Sequence, residues 1–157
     1  MTSPPAEPRD AARVLVLDEH DRVLLLRGWD PAEPEAGSWW ITPGGGLEKG
    51  ETPREAASRE LHEETGLSTR ELHGPVHTEV IEYSLVGNAY RQHQVYFYTR
   101  VSNFELSRTD WTQQERDIML EARWWSVEEV AQNGAEPKPV EPVYPRDLAA
   151  ILRSILR

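Results

Sequence analysis

A chain of 157 residues with 27 acidic and 17 basic side chains, a formal net charge of −10, is long enough for one domain with a buried core. Its charge has the wrong sign for a nucleic-acid polymer, whose phosphates need a positive surface. The absence of cysteine removes disulfides, thiolate nucleophiles and cysteine-ligated zinc.

Residues 1–10 are polar and proline-rich, without the apolar core of a signal peptide. They read as a flexible tail before one domain over 11–157. The aliphatic runs 14–17 and 23–26 are far too short to span a membrane, and a soluble cytoplasmic protein is expected. Residues 12–17 and 22–27 are β-branched and leucine-rich runs joined by Asp18-Glu19-His20-Asp21, the pattern of a hairpin. A loop over 29–37 carries Pro31, Pro34 and Gly37, and a short strand over 39–42 leads into a loop with Gly44, Gly45 and Gly46. Thr52-Pro53-Arg54-Glu55 starts a helix. Thr52 caps it, Pro53 suits the first helical position and Glu55 completes a capping box. Gly66 sits where a left-handed residue ends a helix, giving a span of 53–65. Residues 72–85 hold a strand whose beginning Gly74-Pro75 breaks; Gly87-Asn88 marks a turn, and the alternating stretch 91–101 is the hairpin partner. Residues 111–120 read as a loop or a short helix. A last strand over 121–125, a short helix over 126–131 capped by Ser126, and a proline-rich loop over 132–144 follow. Leu148, Ile151, Leu152 and Ile155 have the spacing of an amphipathic helix within 145–156. This order predicts an α/β domain, a mixed sheet with helices on both faces.

The helix over 53–65 carries the chemistry. At 3.6 residues per turn, Glu60, Glu63 and Glu64 fall within one arc of about 100°. Ala56 lies in that arc and leaves space there, while Ala57 and Leu61 share an adjacent stripe toward the core. Three carboxylates on one face, with Glu51 one loop away, repel each other unless a hard divalent cation joins them. Mg²⁺ takes oxygen ligands in near-octahedral geometry and keeps waters, often together with substrate phosphates. A glutamate-rich helix face alone is ordinary solvated surface. The glycine-rich entry, Glu51, Arg59 four residues before Glu63 and the terminal Gly66 point instead to a metal-assisted phosphate site.

Gly45, five residues, Glu51, seven residues, then Arg59-Glu60-Leu61-His62-Glu63-Glu64-Thr65-Gly66-Leu67 resembles the Nudix box, the signature of hydrolases that cut nucleoside diphosphates linked to another moiety. Every fixed position is filled. Val23-Leu24-Leu25-Leu26-Arg27, Trp39 with Pro43-Gly44-Gly45, and Arg123-Trp124-Trp125-Ser126 with Glu128 and Glu129 extend the resemblance loosely. It implies an α/β/α sandwich, Mg²⁺ or Mn²⁺ as cofactor, and water attack on phosphorus in a diphosphate bridge. It implies that Glu60, Glu63 and Glu64 carry the main metal-binding and catalytic roles, with Glu63 and Glu64 as first-choice ligands and Glu60 as ligand or general base. Glu51 binds metal through water or orients the helix, Gly45 belongs to the loop that offers a carbonyl ligand, and Arg59 orients Glu63. Family members recruit a further carboxylate from a loop before the last strand. Glu115 is the candidate base or extra ligand, against an ordinary solvated loop charge, and Glu121 is the weaker rival. The family's isoprenyl diphosphate isomerase uses a cysteine, which this chain lacks.

Arg27 and Arg91 are candidates to meet phosphates, and Trp29, Trp39, Tyr83 and Tyr90 to stack on a base, although packing or plain exposure is the commoner role of such residues. The histidines offer no metal pattern: Gly74-Pro75 separates His73 from His77, and His62 is expected at the surface. Where relatives acting on ADP-ribose carry a proline, this chain has Glu82 and Tyr83; relatives acting on dinucleoside polyphosphates tend to place a tyrosine nearby. The expected substrate is a nucleoside triphosphate, a dinucleoside polyphosphate or a nucleotide sugar. The alternative, a catalytically silent member that binds nucleotide as a regulator, predicts loss of box carboxylates, and all are present. An interaction module with a merely acidic surface predicts a neutral Glu63→Gln. The six tryptophans suit either a homodimer interface or the core.

Overall fold

A computed structural model describes residues 7–68, 71–102 and 111–157. The elements are β1 (Arg9–Leu17), β2 (Val23–Trp29), β3 (Ser38–Ile41), β4 (Gly44–Gly46), α1 (Pro53–Thr65), β5 (His73–Leu85), β6 (Asn88–Arg100), α2 (Gln113–Ile118), β7 (Met119–Trp125), α3 (Val127–Ala135), β8 (Val143–Tyr144) and α4 (Leu148–Ile155). The strands form one sheet in the order β5-β6-β1-β2-β3-β8, with β4 beside β1 and β7 beside β2. No helix among the described residues is long and apolar enough to cross a membrane.

Side chains alternate between faces along a strand, and here both faces are covered. Ala12, Val14, Val16 and Leu24 pack with Ala56, Ala57 and Leu61 of α1. Leu15, Leu17, Val23 and Leu25 pack with Val130 of α3 and with Leu148, Ile151 and Leu152 of α4. Double coverage explains why β1 and β2 read as continuous aliphatic runs. Each fully buried leucine of α4 stabilises its docking by about 2 kcal/mol.

The expected hairpin of 12–17 and 22–27 is only a corner. β1 and β2 oppose each other at Leu17 and Val23 alone. The buried Asp18 holds the corner, accepting backbone N–H groups of His20 and Arg22 and the Arg22 guanidinium. The strands then diverge, and β3 pairs with β2 while β4 pairs with β1. The glycine-rich stretch is therefore a strand and not a loop, with Ala11, Ala12 and Arg13 opposite Gly46, Gly45 and Gly44. β1 itself begins at Arg9, so Arg9 and Asp10, expected in the tail, pair with Gln92 and His93. Residues 1–6 of the expected tail lie outside the described residues.

Other boundaries also move. β5 continues through Gly74-Pro75, where a register slip between His73 and His77 absorbs the irregularity. Residues 111–120 divide into α2 and the start of β7. α3 runs four residues beyond the expected 131. Asn133 then ties the proline-rich segment down: its amide donates to Glu141 O at 2.8 Å and its oxygen accepts the Val143 N–H at 2.9 Å. This places β8 parallel to β3.

The β5–β6 turn is Val86-Gly87 and not Gly87-Asn88, because Leu85 faces Asn88. Both turn residues have positive φ, 49° and 78°, as a two-residue hairpin of this kind requires. A β-branched residue is poorly suited to that region. Buried Asp30 holds it there, accepting the Val86 N–H with both carboxylate oxygens at 3.2 Å. Replacing Val86 with Asn keeps the N–H and relieves the clash, so Val86→Asn should stabilise the fold by about 1 kcal/mol. Urea melts check this; a destabilised variant would show that the valine side chain contributes more than its backbone costs.

Candidate metal centre

Local chemistry orients α1. Thr52 Oγ1 accepts the Glu55 N–H at 3.2 Å and the Glu55 carboxylate accepts the Thr52 N–H at 3.1 Å. Gly66, at φ 80°, closes the other end. With Ala56, Ala57 and Leu61 fully buried against the sheet, Glu60 and Glu64 are turned onto β4. Ala56, expected to open space among the carboxylates, is core instead.

Glu64 is 2% exposed and accepts the Gly44 N–H at 2.7 Å. Glu60 lies flat on the strand: a Cβ at position 45 would stand 2.5 Å from Glu60 Oε1, so glycine is needed for the approach. The third carboxylate comes from α2. The Trp111 indole N–H donates to the Glu64 carbonyl at 2.5 Å, pinning the entry of α2 to the end of α1. A second capping box follows, with the Thr112 N–H on the Glu115 carboxylate at 3.0 Å and the Glu115 N–H on Thr112 Oγ1 at 3.1 Å. One oxygen each of Glu60, Glu64 and Glu115 then lie within 4.8 Å of one another. An all-carboxylate set of this kind suits a hard divalent cation such as Mg²⁺ or Mn²⁺. Burial pushes the Glu64 carboxyl well above its ordinary range, with Glu60 adding to the effect. Burial also raises Glu60, where Glu63 and Glu115 add repulsion and Arg59 opposes it. A cation among them removes the repulsion.

Arg59 is the hub beside this cluster. Its fork holds both oxygens of Glu51 at 2.8 and 2.9 Å, and it reaches Glu60 at 3.0 Å, Glu63 at 3.3 Å and Gly46 O at 2.9 Å. The expected Arg59–Glu63 contact exists, but Glu51 is the principal partner. Glu51 is held below the usual carboxylate range by that fork, against the effect of burial. Glu63 sits at the rim, its side chain 35% exposed, outside the group formed by the other three. A lysine cannot span these acceptors, because its donors radiate from one nitrogen. Arg59→Lys should lower thermal stability by about 2 kcal/mol and release Glu51. A melt superimposable on the wild type would refute the hub.

A cavity of about 700 Å³ shares Gly46 and Glu51 with this network and is also lined by Arg9, Asp10, Glu48, Tyr90 and Gln92. Its size suits a small ligand. Tyr90 stacks on Tyr83 across the hairpin, ring centroids 5.0 Å apart. Arg9 falls in the polar, proline-rich stretch expected as a tail, and only its pairing with Gln92 brings it to the cavity. The other candidates are engaged elsewhere. Arg27 donates to Glu141 at 2.5 Å and Glu121 at 3.1 Å, which also keeps Glu121 from joining the cluster. Arg91 pairs with Glu82 at 2.6 Å. Trp39 packs over Gly28, and the Trp29 indole N–H donates to Asp117 O at 2.9 Å. His62 is exposed, as expected.

A family model described as the NUDIX domain matches residues 7–146. A 52-residue stretch is 46% identical to an uncharacterized Nudix hydrolase, YvcI, of Bacillus subtilis, covering 33% of this chain and 29% of that protein. A 53-residue stretch is 40% identical to an 8-oxo-dGTP diphosphatase of Proteus vulgaris, covering 34% and 46%. The matches thus span less than half the length of these curated relatives. The MutT protein of Methanosarcina mazei Go1 superposes with a TM-score of 0.66 at 23% identity, covering 98% of this chain and 99% of that one, which shows a shared fold.

Proposed function

The chain belongs to the NUDIX domain family, and from that premise we propose that it is a metal-dependent hydrolase that cleaves a diphosphate linkage in a nucleoside diphosphate derivative by water attack at phosphorus. The observation that carries this reading is the convergence of Glu60, Glu64 and Glu115 on the glycine strand β4. Mg²⁺ or Mn²⁺ bound there supplies positive charge to phosphoryl oxygens and acidifies bound water.

The residues divide the work. Glu64, buried and tied to the Gly44 N–H, is a fixed ligand. Glu115 closes the set from α2, the Gly45 carbonyl adds a further oxygen, and Glu63 serves from the rim. Arg59 holds Glu60 by Oε1, and Oε2 is the oxygen assigned to accept the proton of the attacking water. Arg59 and Glu51 are positioning residues. The cavity beside Gly46 takes the nucleotide, with Tyr90 offering an aromatic face and Arg9 a cation.

Within the substrate class, the stretch shared with an 8-oxo-dGTP diphosphatase favours a nucleoside triphosphate, ahead of dinucleoside polyphosphates and nucleotide sugars. A cytoplasmic location goes with this activity, and light scattering decides between a monomer and a homodimer. The test is product release from nucleoside triphosphates, diadenosine polyphosphates, ADP-ribose and nucleotide sugars with Mg²⁺ or Mn²⁺, beside Glu60→Gln. Metal-dependent cleavage of one class, lost in the variant, supports the reading. Nucleotide binding without turnover of any of them would leave a regulatory binder.

A further inference from the structure

The sheet carries a second convergence of metal-ligating groups, outside the α1 cluster. His77 and Glu79 lie two residues apart on β5, so their side chains share a face. Asp147 reaches the same place from the start of α4. One ligand atom each of His77, Glu79 and Asp147 lie within 4.8 Å of one another. We propose that these three residues form a transition-metal site, best suited to Zn²⁺, that ties α4 to β5.

Three observations point the same way. His77 Nε2 is buried and has no hydrogen-bond partner, although buried polar atoms are normally satisfied. Its nearest acidic atom, Glu79 Oε2, is 3.7 Å away. That is beyond hydrogen-bond reach but close to the separation of about 3.3 Å between two ligands of one tetrahedral zinc. Glu79 is already oriented, since the Tyr96 hydroxyl donates to its other oxygen, Oε1, at 2.9 Å. Finally, Asp147 occupies the N-cap of α4 yet makes no capping hydrogen bond. An aspartate there ordinarily accepts a helix N–H; this carboxylate lies with His77 and Glu79 instead. It is also exposed, giving an ion and a bound water a way in.

The donor set distinguishes this site from the first. Carboxylates alone suit Mg²⁺, whereas an imidazole with two carboxylates suits Zn²⁺ or Co²⁺. Among the described residues no histidine pairs with His77: its neighbours are Glu79 and Asp147, the second 70 residues away in the chain.

The test titrates the EDTA-stripped full chain with Zn²⁺ in excess Mg²⁺, by calorimetry, and with Co²⁺ by ligand-field absorption. One Zn²⁺ per chain is expected, with a rise in melting temperature. His77→Ala and Asp147→Asn should each weaken it by about a hundredfold and abolish the Co²⁺ band, while Glu64→Gln keeps both. Asp147→Asn changes one exposed group, and circular dichroism confirms that both variants are folded. Equal Zn²⁺ affinity in wild type, His77→Ala and Asp147→Asn would overturn the site. So would loss of binding in Glu64→Gln alone.

Discussion

Glu64→Gln should cut kcat by about 10²–10³-fold with the fold intact. The amide keeps the size of the side chain and an oxygen for the Gly44 N–H, now accepted at 2.7 Å, so the β4–α1 junction survives. What disappears is the buried negative charge on which cation binding rests. The same substitution has a second, opposite consequence. Burial, with Glu60 adding to it, raises the Glu64 carboxyl well above its ordinary value. Between the ordinary and the folded value, and without a cation, the folded state therefore keeps a proton that the unfolded chain has released. Stability is present below the ordinary carboxylate value and falls as pH rises from there toward the folded value. In EDTA the wild type should thus lose melting temperature with rising pH and recover it on adding Mg²⁺. Glu64→Gln should show a flatter profile and little response to Mg²⁺. Steady-state rates and melts across pH check both halves. A variant with wild-type kcat, or one whose melting still rises with Mg²⁺ as the wild type's does, would remove Glu64 from the metal site.

Gly44→Ala should destabilise the chain by about 4 kcal/mol or more, the range reserved for severe overpacking and backbone strain. Gly44 has φ 150°, and an added Cβ would overlap the Ala12 carbonyl oxygen and stand 2.8 Å from Arg13 Cα. Neither atom can retreat, because β1 is held on its other edge by β6 along its whole length. At this chain length the loss lowers the melting temperature by about 10 °C. Gly50 is the control: it also has positive φ, 79°, but nothing lies within 4 Å of a Cβ built there. Gly50→Ala should cost about 1 kcal/mol, from the backbone conformation alone. Urea denaturation of the two variants separates strain from overlap. Equal, mild losses would mean that β4 can move away from β1.

Helix α1 was readable from the chain to the residue. The capping box, Pro53 at its start and Gly66 at its end act over one helical turn, and the observed span Pro53–Thr65 follows. α4 was readable as a face, through Leu148, Ile151 and Leu152. Strand β4 was not, since three glycines carry no side-chain pattern and pair only because β1 and β2 part at Leu17. The principal partner of Arg59 was missed because helical spacing singles out Glu63, whereas Glu51 enters from the preceding loop. Val86 was missed for a similar reason: its conformation is held by Asp30, 56 positions away.

Short-range rules therefore account for the helix that bears Glu60, Glu63 and Glu64 and for the metal-phosphate chemistry that such a helix suggests. They cannot rank those carboxylates. Glu64 became the buried one and Glu63 the rim one when α1 docked its Ala57–Leu61 stripe on the sheet. Glu115 joined them because Trp111 anchors α2 to the end of α1, and His77 met Asp147 because α4 folds back over β5. Each of these meetings depends on packing between segments far apart in the chain, and the spacing of residues along a chain holds no record of such distances.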